Sequence, residues 1–162
     1  MTDAVHEFIL NCRYGEEQEA LEYLEGVQDK GQLITTFVND QCPLFMAAAN
    51  GHSGILSQLV KHLTPEQVNI SNSQGSRALH WAALNGQLEC VKLLLQYGAN
   101  PLLRDSSGKS PATLAEQAEH LEVAKVLLES YDPEQDEVDA EDVVVSSEDP
   151  EYKEYEKQAQ AE

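Results

Sequence analysis

One pattern recurs along the chain at a fixed spacing. The stretch Gly75–Asn100 returns from Gly108 onward, 33 residues later. Leu88-Glu89 comes back as Leu121-Glu122, Lys92 as Lys125, and Leu94-Leu95 as Leu127-Leu128. A unit of that size cannot bury its own apolar face. A chain built from such units therefore stacks them into a solenoid, and each unit shares its core with its neighbours.

Two further copies lie upstream. Cys42–His52 is the same unit, with Gly51 placed 35 residues before Gly86. The extra length is expected in 62–72, where Thr64-Pro65-Glu66-Gln67 reads as a capped helix start with proline in its first turn. A degenerate copy opens the chain: Phe8–Gly15 aligns on Leu79–Gly86, and an amphipathic run to Leu24 comes after it. The second helix of this copy is expected to carry one extra residue.

Each unit reads as a helix, a reversal, a second helix and a loop. Leu79, Ala82 and Ala83 fall on one face of the first helix, where small side chains let neighbouring helices approach. Gly86 ends that helix, because glycine enters the left-handed region at little cost. Val91, Leu94 and Leu95 form the expected buried stripe of the second helix, and Gly98 closes it. The first copy is crowded with Glu16, Glu17, Glu19, Glu22 and Glu25, as suits a terminal unit facing water.

Charge separates this repeat body from the C-terminal segment. The 162 residues carry a formal net charge of −19. Residues 1–131 hold 16 acidic and 8 basic residues, a net of −8, and residues 132–162 hold 13 and 2, a net of −11. The expected organisation is thus a repeat domain over residues 3–131 and an acidic, largely disordered tail over 132–162. Such a charge repels nucleic acid and anionic membranes and attracts basic proteins. No apolar run approaches the roughly 20 residues that span a bilayer. Met1–Ala4 does not open a secretory signal. Cys12, Cys42 and Cys90 are odd in number and widely spaced, so neither a disulfide framework nor a C-x-x-C metal pair is expected. The five histidines show no H-E-x-x-H spacing, and no G-x-S-x-G, phosphate loop or dinucleotide loop is present. The expectation is a binding protein with no catalytic residue, cofactor or metal.

Ala78-Leu79-His80-Trp81-Ala82-Ala83-Leu84-Asn85-Gly86 and Val91-Lys92-Leu93-Leu94-Leu95 resemble the consensus of ankyrin repeats. The resemblance covers about residues 3–131 and implies an all-α solenoid of about four helix-turn-helix repeats. Arg77 and Ala78 depart from the usual Thr-Pro, and Phe45 from the usual histidine, which puts the loop hydrogen bonds in question. A narrower resemblance rests on Ala47–His52, on Leu79–Ala82, on Ala99-Asn100-Pro101-Leu102-Leu103-Arg104 and on the acidic tail. It is to the yeast Yar-type ankyrin chaperones of ribosomal protein three of the small subunit. That resemblance implies a dedicated chaperone or assembly factor, monomeric apart from its client, cytoplasmic and nuclear, and binding a basic ribosomal protein rather than RNA or membrane. The competing reading is an ankyrin inhibitor or adaptor of a signalling protein or transcription factor.

Register supplies the candidate contact residues. Leu10, Met46, Trp81 and Leu114 occupy one equivalent position, which faces the concave surface in this family. Four exposed apolar residues there would form a stripe, joined by Leu84; the alternative is partial burial under adjacent loops. Tryptophan is enriched at binding hot spots. Asp40, Asn72, Gln74, Arg104 and Asp105, with Asn39, Ser73 and Ser106, sit at loop tips and read either as rim contacts or as turn chemistry. In the tail, Asp136, Glu137, Asp139, Glu141 and Asp142 either shield a basic client surface or confer solubility. The segment Asp142–Asp149, with Val143-Val144-Val145 at its centre, also resembles a SUMO-interaction motif, and Ser146 has the acidic context of a kinase site.

Overall fold

The computed structural model describes residues 2–130. Ten helices succeed one another there: α1 (Thr2–Tyr14), α2 (Glu17–Glu25), α3 (Lys30–Ile34), α4 (Pro43–Ala49), α5 (Ser53–Val60), α6 (Pro65–Val68), α7 (Ala78–Leu84), α8 (Leu88–Gln96), α9 (Pro111–Gln117) and α10 (Leu121–Glu129). The four first helices α1, α4, α7 and α9 stack in order as one layer, and the second helices α2, α5, α8 and α10 stack as another. Each first helix also packs on the second helix of its own repeat. The core lies between the layers. Ala47, Ala48, Ala82, Ala83 and Ala115 are fully buried in the first layer, and side chains this small permit close helix approach. Leu56, Leu59, Val91, Leu94 and Leu127 fill the space beneath them.

The glycines between the paired helices have two functions. Gly15, Gly51 and Gly86 all take left-handed backbone, with φ of 79°, 77° and 71°. They also leave room for the next repeat: a Cβ on Gly86 would lie 2.6 Å from the His120 ring, and one on Gly15 2.6 Å from the His52 ring. His52 is held there by a 2.8 Å hydrogen bond between Nε2 and the Arg13 carbonyl. In the fourth repeat Glu119 occupies the glycine position at φ 65°. Among the described residues no helix comes after α10 to press on it, so a side chain fits, but the left-handed backbone still costs about 1 kcal/mol. Glu119→Gly is therefore expected to raise unfolding stability by about 1 kcal/mol. Urea denaturation would measure the gain, and an unchanged midpoint would contradict the strain assigned to Glu119.

Two local expectations change and a third holds. The second helix of the first repeat has no extra residue. Like α8 and α10, α2 is nine residues long, and it starts two residues after its glycine as they start after Gly86 and Glu119. The additional length is instead the short helix α3, capped by the Asp29 carboxylate, which accepts from the Gln32 N–H at 3.0 Å. The buried stripe of α8 is Cys90, Val91 and Leu94, while Leu95 is only partly buried. The insertion in 62–72 does form the capped turn α6. Thr64 Oγ1 accepts from the Gln67 N–H at 3.2 Å, and Gln67 Oε1 accepts from the Thr64 N–H at 3.0 Å.

The loops keep their hydrogen bonds by another route. Arg77 sends Nε to the Asn69 carbonyl at 3.0 Å, and Nη1 to the Gly75 and Arg104 carbonyls at 3.1 and 3.2 Å. One guanidinium thereby ties two successive loops, and its partial burial lowers its pKa. His80, 1% exposed, accepts the Arg77 N–H on Nδ1 at 3.3 Å and bonds the Lys109 carbonyl through Nε2 at 3.0 Å. These partners require the neutral ring with its proton on Nε2. Phe45, at the same position one repeat earlier, is buried and stacks edge-on against Phe37, with centroids 5.2 Å apart.

Burial pushes the pKa of His80 below the ordinary histidine value of 6.5. Above that value the ring is neutral in both folded and unfolded chains, and stability is complete. Below it the unfolded chain takes up a proton that the folded chain resists, so stability falls as the pH drops through the interval down to the folded pKa. Urea denaturation at pH 7.5 and pH 5.5 is expected to show a steeper acid loss for the native chain than for His80→Gln. Equal losses would contradict the assignment.

Candidate functional site

The exposed edge of the first-helix layer is shaped around Trp81. This residue sits on α7, half-buried, with its ring 6.1 Å from that of Phe45 in the preceding repeat. It forms a wall shared by two open cavities. The first, about 170 Å³, is lined by Gln74, His80, Trp81, Leu84, Asp105 and Leu114, among others. The second, about 200 Å³, is lined by Arg13, Gln41, Met46, Asn50, Trp81 and Asn85, among others. Trp81, Leu84, Leu114, Gln74 and Asp105, singled out separately from register and from loop position, thus converge on one cavity. Leu84 is 46% exposed there.

The four-residue apolar stripe does not form as expected. Met46 is 3% exposed, at the floor of the second cavity rather than on an open surface. It belongs to α4, whose seven residues are all buried between the flanking repeats. Leu10 is half-buried on α1 and lines neither cavity. Trp81 and Leu114 alone carry the stripe as a shared surface.

At the loop tips, side-chain oxygens are engaged in turn chemistry. Asn72 Oδ1 accepts the N–H groups of Gln74 and Ser76 at 3.0 and 3.1 Å. Asp105 Oδ1 accepts those of Ser107 and Lys109 at 2.9 and 3.0 Å. Asp40, left-handed at φ 64°, accepts the Ser73 N–H at 3.2 Å and the Ser73 hydroxyl. The Ser106 N–H donates to the Gln74 carbonyl at 3.0 Å. The tips are thereby linked from repeat to repeat. The side chains of Gln74 and Arg104 remain exposed, Arg104 reaching the Gly108 carbonyl at 3.4 Å. Asp136, Glu137, Asp139, Glu141, Asp142, the Val143–Val145 island and Ser146 lie outside the described residues.

Sequence reasoning missed Arg13, Gln41, Asn50 and Asn85. For the last two the signal was the residue just before the glycine, where Asn stands at both 50 and 85. Asn50 and Asn85 use Nδ2 to cap their own helices, at the Met46 and Trp81 carbonyls, 2.9 Å in each case. That fixes the backbone on which Met46 and Trp81 are presented.

The site offers an apolar wall, amides, one carboxylate and one guanidinium, a set suited to holding a protein surface. The thiols add no chemistry: burial pushes Cys12 and Cys42 up to about 12 and Cys90 to about 11, so all three stay protonated at neutral pH. Among the described residues no helix is long and apolar enough to cross a membrane.

The family model for ankyrin repeats in three copies matches residues 8–105 and again 44–139. The chain belongs to the ankyrin-repeat family. Among curated relatives, it is 32% identical over 131 residues to the E3 ubiquitin-protein ligase Ufd4 of Drosophila melanogaster, covering 78% of this chain but 4% of Ufd4. It is 36% identical over 77 residues to human protein phosphatase 1 regulatory subunit 27, covering 46% of this chain and 50% of that protein. The chain thus spans only a small part, or at most half, of these relatives. A solved structure resembles it over four fifths of its length: the crystal structure of the yeast ribosomal protein Rps3 in complex with its chaperone Yar1. That match has a TM-score of 0.71 and 30% identity, and covers 80% of this chain and 93% of the other. An ankyrin stack with a chaperone complex as structural neighbour points to protein binding.

Proposed function

We propose that this chain is a dedicated chaperone that holds a basic small-subunit ribosomal protein before its assembly. The observation that carries this reading is the match to the Yar1–Rps3 structure, because it covers 93% of the other chain at 30% identity. The two cavities on either side of Trp81 supply a contact surface, and the net charge of −19 supplies attraction to a basic client. Client contact is assigned to Trp81, Leu84, Leu114, Gln74 and Arg104, with residues 132–162 shielding the client's charge. Residues 3–131 fold as an autonomous unit. The chain acts as a monomer in cytoplasm and nucleus and leaves RNA to the client.

The second reading, an ankyrin adaptor or inhibitor in signalling, is favoured by the 36% identity to the phosphatase regulatory subunit. Gel filtration separates the two. Yeast Rps3 should co-elute with the chain, and protein phosphatase 1 should not. Co-elution with the phosphatase alone would overturn the chaperone reading.

A further inference from the structure

A third cavity lies away from the Trp81 surface and shares no lining residue with either cavity there. It has a volume of about 320 Å³ and lies between α1 and α2, with Phe8 and Tyr23 at its base and Glu7, Asn11, Glu19 and Glu22 around it. Phe8 and Tyr23 stack with ring centroids 5.3 Å apart. Counting from the repeat glycine, the positions of Glu7, Asn11, Glu19 and Tyr23 are those of Pro43, Ala47, Ile55 and Leu59 in the second repeat, all buried. In the third repeat they are Ala78, Ala82, Cys90 and Leu94, also buried. This is the face on which a preceding repeat packs. In the first repeat, against which no repeat packs on this side among the described residues, the face retains an aromatic base and acquires carboxylates.

A solvated end needs polar residues of either sign. This one has a single sign. Residues 2–25 contain seven acidic residues against Arg13 alone, a net of −6 out of the −8 carried by residues 1–131. Among the described residues none of Glu7, Glu19 and Glu22 has an ion-pair partner. Glu22 Oε1 accepts one neutral hydrogen bond, from Gln18 Nε2 at 3.1 Å. Like charges gathered around an aromatic groove repel one another until a cation enters. Lysine and arginine match both features, because their aliphatic stems cover apolar surface while their heads stay at the rim, and a cation is attracted to an aromatic face.

We propose that the α1–α2 groove is a second docking surface, and that it takes a lysine- or arginine-bearing segment of a partner protein. The stems of the basic residues lie over Tyr23, and their heads pair with Glu7, Glu19 and Glu22.

The test is an amide NMR titration of the full-length chain with the hexapeptide KLKKLK, its uncharged counterpart QLQQLQ, and the triple variant Glu7→Gln, Glu19→Gln, Glu22→Gln. The basic peptide is expected to shift the amides of Glu7, Asn11, Glu19 and Tyr23 saturably, and the uncharged peptide is not. In the triple variant the affinity read at Asn11 and Tyr23 should fall about tenfold, as the loss of three exposed ion pairs implies. Any shifts at residues 132–162 should persist, reporting the separate attraction of that acidic segment. Shifts confined to residues 132–162 or to the Trp81 cavities would overturn the proposal and leave the face as a solvated end cap. Groove shifts that survive unchanged in the triple variant would overturn it equally.

Discussion

Replacing Trp81 by alanine should weaken client binding by about 2 kcal/mol, roughly 30-fold, the loss typical of a hot-spot residue. The indole is the common wall of two cavities, so its removal merges them and takes apolar contact from both. Trp81 is only half-buried and leans on Phe45 from one side. The cost to folding should therefore stay below the roughly 3–5 kcal/mol of a fully buried tryptophan. Met46→Ala is the contrasting variant. Its side chain is 3% exposed within the stack, so its truncation should cost about 2–3 kcal/mol of stability. Melting curves and calorimetric titrations of both variants separate the roles. A Trp81→Ala protein that binds normally, or that unfolds as readily as Met46→Ala, would remove Trp81 from the site.

Deleting residues 132–162 should slow association about tenfold at low salt and leave dissociation nearly unchanged. That segment carries −11 of the net −19. Its attraction to a basic client acts before contact and is screened over a Debye length of about 8 Å at physiological ionic strength. The truncated chain should accordingly show a flatter salt dependence between about 50 and 500 mM. It should also give up its client to added ribosomal RNA more readily. Its circular dichroism should still report a cooperative helical melt, since the apolar repeat pattern ends near Leu128. Stopped-flow binding of both chains, with and without RNA, measures all of this. Equal on-rates and equal salt slopes would leave the segment as a solubility device, and loss of the melt would refute the domain boundary.

The fold was legible because its determinants are local and repeated. Glycines at 15, 51 and 86, alanines in the first helix and a leucine-rich stripe in the second specify each unit and its neighbour together. The short helix α3 escaped notice because five residues with Gly31 inside them carry no periodicity. Its one signal was Asp29, three residues before the amide it caps. The loops were misjudged for a different reason. Arg77 looked like the loss of a Thr-Pro hydrogen-bond pattern, and only folding brings its guanidinium to three carbonyls contributed by residues 69, 75 and 104.

The site was legible in part. Register alone placed Trp81 and Leu114 on one face, and loop position marked Gln74 and Asp105 as rim contacts or turn residues; only the fold brings them beside Trp81. Register cannot report how far a neighbouring repeat covers a position, so Met46, in the middle of the stack, was expected on the surface and lies beneath it. Asn72, Asp105 and Asp40 show the converse. Residues suited to turns are also suited to contacts, and their oxygens are already engaged by backbone and side-chain donors of the loops themselves.

Light scattering of yeast Rps3 transferred to low-salt buffer, with and without an equimolar amount of this chain, tests the chaperone reading most directly. The expected result is a clear solution with the native chain and visible aggregation with Trp81→Ala at the same concentration. Rps3 that aggregates equally in the presence and absence of the native chain would contradict the chaperone reading.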